Sequence, residues 1–300
     1  MADQIKKRPL KKKADALRFG DWVVAFICLL VIILCLSPLI NLLARSLSSA
    51  TALTKGQVTF WPVDLDLTAY KSILTDDRYI RSLVWTAFLT LICTLLSLLM
   101  TILCAYPLTY DNLKGRGVIN IIIIITMYFG AGTIPTYLLI SDLKMIDTPY
   151  VLIIPSCLSV FNMILMRSFF FGIPASLRES AEIDGAGPLT VLLRIYLPLS
   201  TPVLATLALF YAVGRWNGFS DALLYIKLER DLYPIQYLLY NLLNSMNSIE
   251  VQQQDGFTTP GTSETIKAAT VMFATVPILI VYPFLQRYFI AGVTLGAVKE

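Results

Sequence analysis

Long apolar segments alternate with shorter polar segments along most of the chain. Six apolar segments exceed 20 residues, and at 1.5 Å per helical residue each is long enough to cross the hydrocarbon core of a bilayer, about 30 Å thick. The predicted spans are residues 22–44, 82–106, 118–140, 149–171, 201–225 and 268–290. The pattern therefore predicts an all-α polytopic membrane protein with six transmembrane helices.

Helix breakers lie inside two of these segments. Pro38 interrupts the first predicted span, and Gly130, Gly132 and Pro135 follow the isoleucine run of the third. Glycine and proline at membrane depth indicate a close backbone approach or an unwound turn, and both need protein or water around them. We expect the third span to be loosened at this point.

The polar segments differ in character. Residues 45–81 are too long for a tight connection and are predicted to fold partly, and residues 233–246 between the last two spans are predicted to form a short surface helix. Residues 173–200 are neither a span nor an ordinary linker. This insert opens at Pro174 and breaks at Gly185 and Gly187, which predicts two short helices joined by a bend.

Composition excludes a soluble globular domain. Hydrophobic residues make up 56% of the chain and charged residues 15%, with a mean hydropathy of +0.70. Histidine is absent, and no Cys or carboxylate cluster has metal-ligand spacing, so no metal site or histidine base is expected. The first apolar run is too long for the core of a cleavable signal peptide and is expected to be retained as a span. The five cysteines all lie in apolar segments and are interpreted as small core residues: Cys28, Cys35, Cys93, Cys104 and Cys157.

The placement of positive charge predicts the orientation. Residues 1–21 form a basic tail, interpreted as disordered and topology-setting rather than nucleic-acid binding. Fourteen of the 24 lysines and arginines fall on the N-terminal side of the predicted spans. Because cytoplasmic segments carry the excess of Lys and Arg, both termini and the insert at 173–200 are predicted to be cytoplasmic.

Polar groups within the apolar segments are the candidates for a substrate pathway, because burying them in lipid is unfavourable unless they face a partner or a cavity. An aromatic ring beside amide groups suits a sugar, which stacks on the ring and hydrogen-bonds through its hydroxyls. The candidates are Tyr128, Asn162, Trp216 and Asn217. The alternative is interhelical packing, which the Gly214–Gly218 GxxxG pair around Arg215 also favours.

The first arm of the insert is amphipathic. Glu179 and Ile183 are four residues apart, and Glu179, Glu182 and Asp184 offer carboxylates to basic groups of another protein. Ala181 is small enough for another backbone to approach, whereas the second arm is expected to fasten the insert to the membrane. Periodicity alone leaves open an ordinary amphipathic interfacial helix. No P-loop is present, so any ATPase is expected on a separate chain.

The insert resembles the EAA loop of binding-protein-dependent ABC importer permeases. Ser180 stands where the first alanine of that motif is usual, a change between small residues. The residues that this resemblance assigns to ATPase coupling are Glu179, Ser180, Ala181, Asp184, Gly185, Ile195, Leu197 and Pro198. The run IPASLRESAEIDGA is similar to the carbohydrate branch of the family, and the segments AYPLTYDNLKGRG, WNGFSDALLY and AGVTLGAVKE are similar to its LplC-like and MalG-like members.

The resemblance implies that residues 22–300 are one half of a transmembrane channel in a bacterial cytoplasmic membrane. A second homologous permease subunit would pair with this chain, and two ATPase subunits would grip the inserts. An extracytoplasmic sugar-binding protein would deliver an oligosaccharide or polysaccharide fragment. ATP and Mg would be bound by the ATPase, with no cofactor on this chain, which would not itself be an enzyme.

Three other functions are weighed against this one. The nearest is an ABC importer permease for a peptide or another non-sugar solute. A stand-alone secondary transporter or channel would need acidic or histidine residues in the spans for ion coupling, and the sequence supplies almost none. A membrane-embedded enzyme would need a catalytic set, which the sequence does not show.

Overall fold

The computed structural model describes residues 19–251 and 260–297, and within them the side chains of residues 20–244, 264–281 and 283. Regular structure in this part of the chain is helical, apart from one isolated β-bridge between Ser48 and Leu65. The predicted basic tail lies outside the described residues up to residue 18. The helices are α1 Phe19–Ser46, α2 Ala50–Thr54, α3 Thr68–Thr75, α4 Asp77–Ala105, α5 Arg116–Tyr128, α6 Thr133–Asp142, α7 Pro149–Ile153, α8 Val160–Phe171, α9 Ala175–Ile183, α10 Pro188–Val191, α11 Leu197–Leu199, α12 Thr201–Asn217, α13 Ser220–Tyr225, α14 Ile235–Val251 and α15 Pro260–Ala297.

Three single helices among the described residues are long and apolar enough to cross a membrane. They cover residues 20–46, 77–109 and 264–281. Three further pairs reach that length only when a bent pair is taken as one span: α5 with α6, bent by 112°; α7 with α8, bent by 43°; and the segment 188–199 with α12, bent by 82°. The all-α membrane architecture is therefore as predicted, but the third and fourth predicted spans are each bent at a break, and the third bend lies between the insert and the fifth predicted span.

The breaks follow local backbone chemistry. Between α5 and α6 the chain passes through Gly132 at φ +88°, a region that glycine occupies without steric cost. The α7–α8 pair breaks after a 3-10 turn containing Pro155, and the Ser159 hydroxyl accepts a hydrogen bond from the N–H of Asn162 to cap α8. The third predicted span is thus loosened where expected, whereas the fourth breaks at a point that was not predicted.

The span predicted as one helix over residues 201–225 is corrected. Helix α12 ends at Asn217, and α13 begins only at Ser220. A Cβ on Gly218 would lie 3.3 Å from the carbonyl oxygen of Gly214, so the tight turn that ends α12 leaves little room for a side chain. A Cβ on Gly214 would meet nothing within 4 Å, so the pair does not form a close helix contact within the described residues.

Helix α4 is the centre of the packing. It contacts α8, α12 and α14, while α15 packs against α1 and α12. The buried stripe of α4 is made mostly of small or polar side chains at a spacing of three or four residues: Ser82, Thr86, Leu89, Cys93, Ser97, Thr101 and Ala105. Small residues let neighbouring helices approach closely, which is how helices associate where lipid removes the hydrophobic driving force.

Two larger hydrophobic cores lie along α4. The insert core is formed by the C-terminal end of α4, by α8 and by the second arm of the insert, with Ala105, Phe170, Val191 and Tyr196 among its buried members. The outer core joins the middle of α4 to α7 and α13. The insert is therefore packed directly against one end of the central helices.

Candidate functional site

The insert folds as two helical arms around a reversal. Helix α9 ends at Ile183, and Gly185 has φ +83°, the left-handed conformation that favours glycine. The N–H of Ala186 donates to the carbonyl of Ala181 at 2.9 Å, which closes the helix end. The second arm runs through α10, a π-helical turn over Leu192–Tyr196 and α11. The predicted pair of helices and its bend are confirmed.

One face of α9 is open to solvent. No residue of this helix is buried, and Glu179, Ser180 and Asp184 are all exposed. Ile183, four residues after Glu179, is 87% exposed. Carboxylates thus lie beside an unusually exposed branched apolar side chain, an arrangement that suits contact with another protein.

Ala181 lies on the opposite side of α9. It is partly buried and packs against the insert core, as do Ala186, Ile195 and Leu197. Its small side chain thus contributes to packing within this chain, and the approach of another protein's backbone at Ala181 stays a prediction. On the second arm, Ile195 and Leu197 pack inward as predicted, whereas Pro198 is exposed.

Four aromatic residues connect the insert to the ends of two central helices. We call Tyr106, Tyr110, Phe170 and Tyr196 the aromatic hub. The Tyr106 ring makes edge contacts with the other three rings, at centroid distances of 5.2–6.1 Å. Its hydroxyl donates to the carbonyl of Pro188 at 2.9 Å and is 2.6 Å from the Tyr110 hydroxyl.

Helix α9 joins the aromatic hub through Arg178. The guanidinium carbon lies 4.8 Å from the centroid of the Tyr110 ring, a cation–π contact. Arg178 also lies 3.9 Å from the Glu182 carboxylate on the same helix. Both arms of the insert are therefore linked to Tyr106 or Tyr110, and through them to the end of α4.

A cavity of about 780 Å³ lies between α4, α8 and α12. Asn162 is buried in its wall, and the side chains of Ser97 and Ser156 also line it. The Tyr211 hydroxyl, also in the wall, is 2.7 Å from the Thr101 hydroxyl and accepts a hydrogen bond from the N–H of Ser159 at 3.2 Å. The cavity wall therefore offers hydroxyl and amide groups at the depth where α7 and α8 break.

Arg215 closes one side of this cavity and is fixed by two groups. Its guanidinium forms a salt bridge with Asp221 on α13 and donates to the carbonyl of Leu152 at 3.0 Å. Only 7% of the Arg215 side chain is exposed. The arginine therefore holds the ends of α12, α13 and α7 together, which explains a charge inside an apolar segment.

The other predicted pathway residues lie away from the cavity. Trp216 faces α15, where its indole N–H donates to the carbonyl of Ala274 at 3.1 Å. Asn217 is exposed and its amide donates to the Val213 carbonyl on its own helix at 3.0 Å. Tyr128, at the end of α5, is 73% exposed. Of the four candidates, only Asn162 lines this cavity within the described residues.

Sequence reasoning missed most of the residues that build these two sites. The polar stripe of α4 was detectable, because Ser82, Thr86, Cys93, Ser97 and Thr101 recur at helical spacing within an apolar segment. The aromatic hub had no such signal, since its members come from segments up to 90 residues apart.

The loops at the other end of the molecule are joined by an aspartate. The Asp147 carboxylate accepts hydrogen bonds from the N–H groups of Lys227 and Leu228, the second at 2.8 Å. These N–H groups, with Leu228 foremost, hold the pKa of Asp147 below its usual range. Nearby, Arg81 pairs with Asp231. The described residues contain no group of three His, Cys, Asp or Glu side chains able to hold a metal ion.

Comparison with known proteins identifies the class. The family described as binding-protein-dependent transport system inner membrane component matches residues 78–295. The chain belongs to this family of ABC transporter permeases, which are multi-pass inner-membrane transport subunits.

Individual relatives cover almost the whole chain. The polygalacturonan/rhamnogalacturonan transport system permease protein YtcP of Bacillus subtilis is 36% identical, over 94% of this chain and 99% of the relative. Protein LplC of the same organism is 38% identical, over 87% of this chain and 88% of the relative. A crystal structure of a bacterial ABC transporter involved in import of the acidic polysaccharide alginate matches with a TM-score of 0.80 and 32% identity, over 91% of this chain and 98% of that one.

Proposed function

We propose that this chain is a permease subunit of an ATP-driven importer that carries oligosaccharides or polysaccharide fragments across the cytoplasmic membrane. It pairs with a second permease subunit, two ATPase subunits on the cytoplasmic side and an extracytoplasmic sugar-binding protein. Six spans would put both termini on the same side of the membrane, and the excess of Lys and Arg on that side supports a cytoplasmic location for both. Support for the sugar comes from relatives named for polygalacturonan, rhamnogalacturonan and alginate.

The observation that carries this proposal is the exposed face of α9. A short helix of an apolar chain presents carboxylates and an 87% exposed Ile183 to solvent while its other face is packed on the insert core. We infer that this face of α9 is the surface that a cytoplasmic ATPase subunit contacts. The residues proposed to face the ATPase are exposed: Glu179, Ser180, Asp184 and Gly185. The residues proposed to attach the insert to the spans are Ala181, Ile195 and Leu197.

Movement of α9 passes to the spans through the aromatic hub. Arg178 carries displacement of the first arm to Tyr110, and the Tyr106–Pro188 hydrogen bond carries that of the second arm. Because α4, α8 and α12 are packed together, they move as one body when the ATPases close. Alternating access follows as a two-state, rigid-body change between inward-facing and outward-facing arrangements.

The cavity beside Asn162 forms part of the sugar path. Its serine, tyrosine and asparagine groups match the hydroxyls of a carbohydrate, and its volume of about 780 Å³ falls within the range of small-molecule sites. Trp216 serves packing against α15, while Asn217 and Tyr128 are exposed and available to the second permease or to the substrate between the subunits.

The test uses the complete transporter reconstituted with its binding protein. Glu179→Lys reverses the charge of the exposed face, and Gly185→Pro forbids the φ of +83° at the reversal. We expect both variants to insert normally but to lose stimulation of ATP hydrolysis by sugar-loaded binding protein, together with sugar uptake. Glu229→Lys, an exposed carboxylate at the opposite end of the molecule, is the charge-reversal control for insertion and basal ATP hydrolysis and should keep both.

The ATPase is assayed over a panel of uronic-acid and neutral oligosaccharides. Full stimulation in Glu179→Lys and Gly185→Pro would refute the coupling assignment. Stimulation by a non-sugar solute and by no oligosaccharide would refute the substrate class while leaving the permease function in place.

A further inference from the structure

Two arginines from different helices share one aromatic ring at the insert end of the molecule. Arg116 is the first residue of α5, and Arg167 lies in the C-terminal half of α8. Their guanidinium carbons are 5.6 Å and 5.1 Å from the centroid of the Phe171 ring. Two like charges are therefore held beside the same side chain, which is unfavourable unless a negative group lies nearby.

Among the described residues, one carboxylate pairs with this arginine pair and balances only one of its two charges. Asp111 pairs with Arg116 at 2.6 Å, but the Asp111 side chain is 80% exposed. The Nε–H of Arg167 is shielded from solvent and has no hydrogen-bond acceptor among the described residues. A shielded donor without an acceptor costs free energy, and a charged donor costs more. Arg167 is therefore left without an anionic acceptor among the described residues, while Arg116 has only the exposed Asp111.

Helix α5 adds to the positive field at this point. Its N-cap is Gly115 at φ +80°, and no side chain caps the first turn. The N-terminus of a helix carries partial positive charge and N–H groups suited to an anion such as phosphate. The guanidinium groups of Arg116 and Arg167 thus lie beside an uncapped helix start.

The surroundings of the pair are apolar and exposed. Phe171 is 45% exposed, and Val118, Ile121 and Ile122, which follow Arg116 along α5, are 56–63% exposed. Charged groups at the end of an exposed apolar helix face are placed where the headgroups of a bilayer meet its acyl chains. A ligand with a phosphate and two acyl chains satisfies both features at once.

We propose that Arg116, Arg167 and Phe171 form a binding site for the phosphate of an anionic phospholipid of the inner leaflet. Both guanidinium groups donate to phosphate oxygens, and the acyl chains lie along α5. The site rests on the proposed function only in that it places this end of the chain at the cytoplasmic membrane surface. Its occupant is a membrane lipid rather than free phosphate, because the neighbouring side chains on α5 are apolar.

The test measures lipids retained by the full chain after purification from mixed phosphatidylglycerol and phosphatidylcholine nanodiscs, by mass spectrometry. We expect enrichment of phosphatidylglycerol over its bulk fraction, reduced about five-fold by Arg116→Gln or Arg167→Gln and more by the double variant. Arg194→Gln, an exposed arginine on the insert, is the matched control and should keep the enrichment.

Two further measurements define the outcome. Inorganic phosphate is added as a competitor, and displacement of the lipid by phosphate at matched concentrations would identify a free-anion site and overturn the lipid assignment. Equal phosphatidylglycerol enrichment in the double variant and in the control would also overturn the lipid assignment. Loss of the second permease subunit from the double variant, with the bound lipid unchanged, would overturn it as well. Since lipid retention needs no transport, its failure is distinguishable from loss of sugar-stimulated ATP hydrolysis.

Discussion

The Tyr106 hydroxyl offers the sharpest test of how the insert is joined to the spans. Tyr106→Phe keeps the ring and its three edge contacts but removes hydrogen bonds to the Pro188 carbonyl and the Tyr110 hydroxyl. Tyr106 is only 6% exposed, so water cannot fully replace the lost group. Leaving such partners unsatisfied costs about 1–3 kcal/mol.

That cost is specific to the junction between the insert and α4. A loss of about 1–3 kcal/mol changes the ratio of linked to unlinked insert by roughly 5- to 150-fold. We expect Tyr106→Phe to lower the sugar transported per ATP hydrolysed, because the ATPases can then close without moving α4. Basal ATP hydrolysis should be retained.

The control removes an equivalent hydroxyl far from the insert. Tyr70 contacts the Ser46 hydroxyl at 2.8 Å, so Tyr70→Phe also loses a tyrosine hydrogen bond. Both variants should show a lower thermal unfolding midpoint, but only Tyr106→Phe should lower the transport-to-hydrolysis ratio. An unchanged ratio in Tyr106→Phe, or an equal fall in Tyr70→Phe, would refute the role of the hub in coupling.

Three further predictions concern the rest of the molecule. Arg215→Gln should lower the free energy of unfolding by about 3 kcal/mol, which is the lower end for breaking a buried ion pair, because Asp221 is 25% exposed. The double variant Arg215→Met with Asp221→Leu should recover much of this loss in thermal unfolding assays. Additive losses from the two substitutions would contradict the assigned ion pair. Because the pKa of Asp147 is lowered in the folded state, its contribution to stability is present at neutral pH and is lost as the pH falls through the folded-state pKa. The unfolding midpoint of Asp147→Asn should therefore depend less on pH below about 4 than that of the wild type. Asn162→Leu should raise the KM for sugar uptake while Trp216→Phe lowers stability with KM unchanged, and the reverse pattern would exchange their assigned roles.

Features set by local chemistry were predictable from the sequence. The lengths of the apolar segments predicted the helices, and the glycines of the third span predicted the break in that span. Gly185 predicted the chain reversal in the insert. Each depends only on neighbouring residues. Pro38 shows the limit of such reasoning, because α1 continues through it: the Ser37 hydroxyl donates at 3.2 Å to the Leu34 carbonyl, which the proline leaves without its helical partner.

Features set by tertiary contact were not predictable. Periodicity places Glu179 and Ile183 on one face of α9, but it does not say which face meets the rest of the chain, so the packing of Ala181 against the insert core could not be predicted. The partners of Arg215 and Trp216 lie across a helix break or on another helix, at Asp221 and Ala274. Sequence can identify a buried polar group as one that needs a partner, but the fold supplies that partner.

Helix α12 is attached to the rest of the chain at both of its ends, which determines how movement of the insert reaches the cavity. At one end, the second arm of the insert leads directly into α12 and packs with Leu207 in the insert core. At the other, Arg215 ties α12 to the Leu152 carbonyl and to Asp221. Helix α12 has 17 residues and is attached at both ends. Its intrahelical hydrogen bonds resist bending, so we expect it to tilt as a rigid unit when the insert moves. The cavity lies between these two attachments, so we expect tilting of the insert to carry Asn162, α12 and the rest of the cavity wall together as one body.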